Sequence, residues 1–321
     1  MSAPCDASLH CVEPSRRQHG AALILAILTV ALVAGLAAAM IRDYGAAVAS
    51  LSGHHDQAQA RLLARGAIDW ARNVLAEDQR TSAIDYPGEA WATRIPPTPV
   101  EEGEVAGELE DVSGRFDLNS LVKNGVADPV QIVSYTKLLH LLGIPDTQAI
   151  ALAASLLDWI DADDLASGPP GAESAWYATQ IPARIPPNQP LTDVDELYLL
   201  RGYDASVVSA LSPFVAALPS PAPLNVNTAP AEVLAAMLPG LTLDSARIIT
   251  AQQQNTPFKD FADFVARSPQ AAQSADRSRF AVASRYFLAS GRAHFGEATT
   301  RMQVLLDRQN TWPVIVWQKI L

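Results

Sequence analysis

The sequence predicts an α+β protein with a long N-terminal transmembrane helix, a sheet domain and a large all-α domain inserted into it. Three observations carry this reading. An uncharged apolar run fills Ala21–Ile41, strand-like segments lie at about residues 90–120 and 283–321, and the stretch between them has helical spacing.

The apolar run, AALILAILTVALVAGLAAAMI, would span about 30 Å as a helix, the thickness of a bilayer core. Arg16, Arg17 and His19 precede it. The positive-inside rule leaves the N-terminus in the cytoplasm and carries the rest across. Two processing routes compete: cleavage after the small-residue triplet Ala37-Ala38-Ala39, as in a secretory signal, or cleavage before the run, between Gly20 and Ala21. The run is long for a signal peptide, and helix-compatible sequence continues beyond it. No proline occurs from Ala46 to about Arg80, and Leu51, Ala58, Leu62, Ile68, Trp70 and Leu75 recur with roughly helical spacing. One helix is therefore expected from about Ala21 to Gln79, ended by Pro87-Gly88.

Short strands and turns are expected over Glu101–Leu121. Helices are expected at Pro129–Leu142, Thr147–Ile160, Asp193–Leu200, Ser206–Ala216, Pro230–Met237, Leu243–Gln253 and Asp260–Arg267, several opened by an Asp, Ser or Thr cap. Strands are expected at Arg285–Phe295, Thr300–Arg308 and Val314–Ile320. The proline clusters Arg94–Pro99 and Pro182–Pro190 read as firm loops. The stretches Thr192–Asp204 and Asn227–Thr242 are weakly alike, each reading as helix, glycine turn, helix.

The formal charge of −11 disfavours nucleic acid and anionic lipid and suits cations or basic partner faces. The two cysteines, Cys5 and Cys11, precede the apolar run. With His10 and His19 nearby they still fit no usual zinc spacing. A chain cut after Gly20 has no disulfide.

The strongest chemical signal is Asp158, Asp161, Asp163 and Asp164, four carboxylates in seven residues, with Glu173 beyond a Gly/Pro loop. They repel one another and oppose the dipole at the end of the preceding helix. A divalent cation relieves both conflicts. Calcium suits an all-oxygen irregular loop, whereas the lack of thiolates and the scarcity of histidine argue against zinc or copper. An EF-hand is excluded, because counting from Asp161 places Ala166 and Ala172 where that loop needs Gly and Glu.

No G-x-S-x-G, H-E-x-x-H, Walker or Rossmann motif occurs, and no enzyme is expected. The density of carboxylates in one loop fits a cation better than a glycosidase cleft. His140, in KLLHLLG, is read as packed, and Trp159, Trp176 and Tyr177 as core. The N-x-N-T-A run at Asn225–Ala229, Leu238-Pro239-Gly240 and the Pro257–Phe264 segment resemble DNA-uptake helix-hairpin-helix modules. The second hairpin glycine is missing, however, and Arg247 and Lys259 are the main basic residues nearby, too few for a phosphate backbone.

Four separated motifs resemble one family. Arg16–Gly20 followed by apolar residues is similar to a type IV prepilin leader. Val112–Asn119, the L-D-W-x-D-x-D…G-A-E…Y pattern of Leu157–Tyr177, and the N-x-N-T-A run resemble the type II secretion system protein K family of minor pseudopilins. Leu25 stands where prepilin-like subunits commonly carry Glu, and lack of that Glu is a feature of this family. Ser174 stands where relatives often carry another acid.

The resemblance implies a division into a leader (1–20), a transmembrane segment (21–42), a first part of a pilin-like domain (43–120), an inserted SAM-like or helix-hairpin-helix-like helical domain with a calcium loop (121–282), and the C-terminal strands (283–321). It implies calcium held by Asp161, Asp163 and Glu173, with Asp158 and Asp164 as additions. It implies processing at Gly20–Ala21 by a prepilin peptidase. The subunit would be single-pass in the bacterial inner membrane with a periplasmic head, would join minor pseudopilins I and J, with H and the major pseudopilin G as further candidates, and would bind no nucleic acid. At the pseudopilus tip it would start assembly and limit length. The rivals are a membrane-anchored DNA-binding or DNA-uptake protein and a secreted calcium-dependent enzyme.

Overall fold

The computed structural model describes residues 18–168, 171–253, 256–268 and 275–321. Residues 1–17 of the expected leader lie outside the described residues, as do Pro169 and Pro170. The chain divides into two units, one reaching Ala58 and one running Gln59–Leu321.

Helix α1, Gln18–Thr81, supplies the described part of the first unit. There Leu23, Leu28, Leu32 and Leu36 are 59–64% exposed. An all-round apolar helix with its main-chain groups bonded internally is what a bilayer core accepts. Among the described residues it is the one helix long and apolar enough to cross a membrane. Gly20 and Ala21 lie near its start.

In the second unit the rest of α1 packs on a five-stranded sheet. Its buried stripe is Ala60, Ala64, Ile68, Ala71 and Leu75. Of the large residues with helical spacing, Ile68 and Leu75 turn inward, whereas Leu51, Leu62 and Trp70 are exposed. Small alanines let the helix approach the sheet closely, and Leu62 and Trp70 instead flank an open apolar groove of about 500 Å³.

The sheet is antiparallel throughout, in the order β1 (Ile95–Val100), β2 (Gly103–Asp111), β3 (Tyr286–Phe295), β4 (Ala298–Asp307), β5 (Val314–Ile320). β2 pairs with β3 from Gly103↔Phe295 to Asp111↔Phe287, so the sheet joins two stretches far apart in sequence. The proline-rich 94–99 stretch, read as a loop, supplies edge strand β1. Pro96, Pro97 and Pro99 are tolerated there because an edge strand leaves N–H positions unpaired. Gly296, at φ +56°, makes the tight β3–β4 turn.

The chain leaves the sheet through Val112–Arg115. Asp111 accepts from the Ser113 N–H at 2.7 Å. A β-carbon on Gly114 would stand 2.4 Å from Thr228 Oγ1, so glycine is required at this crossing. Beyond it lie α2 (Pro129–Leu141), α3 (Asp146–Ile160), α4 (Ser174–Tyr177), α5 (Ala205–Leu211), α6 (Ala231–Met237), α7 (Leu243–Gln253) and α8 (Phe261–Arg267). They share one core with Phe116 and Leu118, including Tyr135, Leu156, Val233 and Phe264. Asp128, Asp204 and Asp260 cap α2, α5 and α8.

Two expected helices are shorter or tighter than read. Ser206–Ala216 ends at Leu211, because Pro213 lacks an N–H, and Val215–Ala216 pairs with Phe116–Asp117 instead. Asp193–Leu200 is a 3₁₀ segment, Val194–Leu199, closed by a reciprocal Asp193–Glu196 capping box.

Candidate metal centre

Helix α3 delivers Asp158 on its last turn and ends at Ile160, so Asp161 begins a loop that returns to α4 at Glu173. Asp158 is fully buried. One of its oxygens accepts from Ser167 N at 2.8 Å and the other from Ala172 N at 2.6 Å. It closes the loop and has both oxygens engaged. Gly171 is part of this closure, since a β-carbon there would lie 2.2 Å from Asp158 Oδ2.

The closure brings Asp161, Asp163 and Glu173 together. One carboxylate oxygen of each lies within 4.8 Å of the others. Asp163 Oδ1 accepts from Leu165 N at 2.9 Å. Asp161 Oδ1 and both Glu173 oxygens are buried without a hydrogen-bond partner. Burial, and then the neighbouring Asp158, Asp161 and Asp164, push Glu173 up to about 8. Burial, Asp163 and Asp158 push Asp161 up to about 6. Asp164 is outside the group of three: it is exposed, accepts from Ser174 N at 3.3 Å, and is held below its usual range by that residue.

An ionised buried carboxylate needs donors or a cation. Glu173 has neither among the described residues and faces fellow carboxylates, so it stays ionised at neutral pH only with a cation beside it, and the ionised group is acceptor-only. A hard cation with oxygen ligands fits such a donor set, and nitrogen or sulfur ligands are lacking within the group. Asp161, Asp163 and Glu173 are the residues that would hold it. Bound there, the cation would supply charge neutralisation.

A second acidic group, Asp78, Asp85 and Glu89, was not foreseen. It already has a cation, the guanidinium of Arg308, which is 2.7 Å from Asp78 and also bonded to Asp85. Burial first, then Glu89 and Asp85, still raises Asp78 to about 7. This group joins the end of α1 to the end of β4.

The Asn225–Ala229 run is built into the protein interior. Asn225 and Asn227 are fully buried. Asn227 accepts from Phe258 N at 2.8 Å and donates to Phe258 O at 3.0 Å, tying the two ends of the motif together. Of the nearby cations, Arg247 is paired with Asp244. His140 departs from the packed reading: it is one-third exposed, with Nδ1 3.0 Å from Asp146. Trp159 and Tyr177 are core, with rings edge-on at 5.2 Å, and Trp176 packs beside them.

Comparison with known proteins decides the family. The profile described as type II secretion system (T2SS), protein K matches residues 114–220 and 224–283. The type II secretion system protein K of Pseudomonas aeruginosa is 35% identical, covering 91% of this chain and 88% of its own. The chain belongs to the type II secretion system protein K family. The protein K of Klebsiella pneumoniae is 34% identical, covering 92% of this chain and 94% of its own. A chain in the crystal structure of the GspK-GspI-GspJ complex from the enterotoxigenic Escherichia coli type 2 secretion system shares the fold. Its TM-score is 0.74 at 24% identity, over 85% of this chain and 99% of that one. As a protein K this chain is a minor pseudopilin, a structural component of the secretion machinery.

Proposed function

We propose that this subunit sits at the tip of the pseudopilus, assembled with the minor pseudopilins I and J, and that its inserted domain is held in shape by calcium. The converging carboxylates of Asp161, Asp163 and Glu173, with Asp161 Oδ1 and both Glu173 oxygens buried and without a donor, are the observation that carries the calcium reading. Asp158 organises the loop, and Asp164 is an outer acid at its rim. The partners are read from the crystallised GspK-GspI-GspJ complex, with H and the major pseudopilin G as further neighbours. Bulk suits the tip, because a large insertion would clash with subunits stacked above it.

The division proposed is a leader at 1–20 removed by prepilin peptidase between Gly20 and Ala21, a membrane segment at 21–42, a pilin-like domain at 43–120 and 283–321, and a SAM-like helical domain at 121–282. The helix is single-pass in the bacterial inner membrane and the head periplasmic. The role is non-catalytic: starting assembly and limiting pseudopilus length. Nucleic acid is not a partner on this reading, since the helix-hairpin-helix asparagines are spent inside the fold.

Calorimetric titration of the full chain in detergent tests the metal. Calcium binding with a rise in melting temperature is expected. Glu173→Gln should weaken the affinity at least about tenfold, since it removes a charged ligand. No heat and no thermal shift in the wild type would end the calcium reading.

A further inference from the structure

A residue far from the acidic run in sequence also belongs to this loop. Asn188 lies in the proline-rich stretch between Pro187 and Gln189, at φ +47°, a left-handed backbone that asparagine tolerates better than other non-glycine residues. Its Nδ2 donates to the main-chain carbonyl of Asp163 at 2.6 Å. A carbonyl can only accept, so this bond fixes which way the amide points. The amide's other atom, Oδ1, is then buried without a donor. The amide thus spends its donor on the acidic loop and has a buried acceptor to spare.

The rest of the stretch has few anchors of its own. Ile181 is fully exposed and Ile185 is 84% exposed. Arg184 N reaches Tyr177 O at 3.2 Å, and Leu191 N reaches Asn119 Oδ1 at 2.8 Å. Between those two, Asn188 meets the acidic loop. On the opposite limb of that loop, Arg201 Nη1 donates to Gly171 O at 3.0 Å. Both limbs are therefore held through main-chain carbonyls by side chains from residues 188–201. The acidic group itself supplies carboxylates from residues 161–173 alone.

We infer that Asn188 is a positioning residue for the cation site: its amide clamps the Asp163 peptide so that the Asp163 carboxylate stays beside Asp161 and Glu173, and through it the cation fixes the 181–190 stretch. The inference rests on the calcium reading above. Partners that orient a metal ligand typically govern about 10–100-fold in metal affinity.

The test uses the full chain in detergent with calcium chloride as the probe. Asn188→Gly removes the amide, and glycine accepts the left-handed backbone without strain. It should bind calcium about tenfold more weakly, with its melting temperature in EDTA equal to that of the wild type. Hydrogen exchange on the wild type gives a second readout that needs no variant: calcium should slow exchange in 183–191. Wild-type affinity in Asn188→Gly, or exchange in 183–191 indifferent to calcium in a wild type that binds it, would overturn the role of Asn188. A wild type that binds no calcium would instead overturn the metal reading on which it stands.

Discussion

Buried acids without a full set of donors set the chemistry of this head. Asp117 is the clearest case outside the cation loop. It accepts from Asn119 N at 3.1 Å and Leu218 N at 3.2 Å, yet burial outweighs those bonds and raises it from 3.8 to about 7. Its folded form thus holds a proton that the unfolded chain has released. The stability it adds is complete below about pH 4 and is lost as pH rises through about 7. The wild type should therefore gain melting temperature relative to Asp117→Asn when the pH is lowered from 8 to 5, a difference read by circular dichroism. Parallel curves for the two proteins would show that Asp117 does not titrate in that window. Comparing the pair cancels other raised acids such as Asp78.

At the scale of elements, the insertion is bolted to itself by side chains rather than by long strands. Asn227 satisfies both main-chain groups of Phe258 across 31 residues of sequence. Asn227→Ala leaves a buried N–H and a buried carbonyl unpaired, and should cost about 2–4 kcal/mol, measured by thermal or urea unfolding. A change below about 0.5 kcal/mol would mean that water replaces the amide. This element was legible in the sequence because N-x-N-T-A and P-F are local patterns with a known turn chemistry. The acidic loop was legible for a similar reason: charge crowding at a helix end is visible without a fold. The resemblance already points to Asp161, Asp163 and Glu173 as the acids that converge. How Asp158 spends both oxygens on closing the loop depends on where Gly171 lets the chain turn back, which the sequence alone does not show. Asn188, Arg201 and Arg308 escaped because their partners lie 25, 30 and more than 220 residues away. Helical spacing of the large residues marks α1 as a helix but does not tell its inward face, where close packing on the sheet selects alanine. Proline breaks strands except at an edge, so the sequence of β1 reads as a loop until its place in the sheet is known.

For the whole molecule, the apolar half of α1 decides which kind of protein this is. On the proposed reading the protein keeps that helix as an anchor. A secreted enzyme of similar composition would lose it. The helix runs without interruption from Gln18 to Thr81, through Ala37–Ala39, so a cut at that triplet would sever a continuous element. N-terminal sequencing of the mature protein from bacterial membranes tests this most directly. A membrane-bound product beginning at Ala21 is expected. A soluble product beginning at Met40 would contradict it.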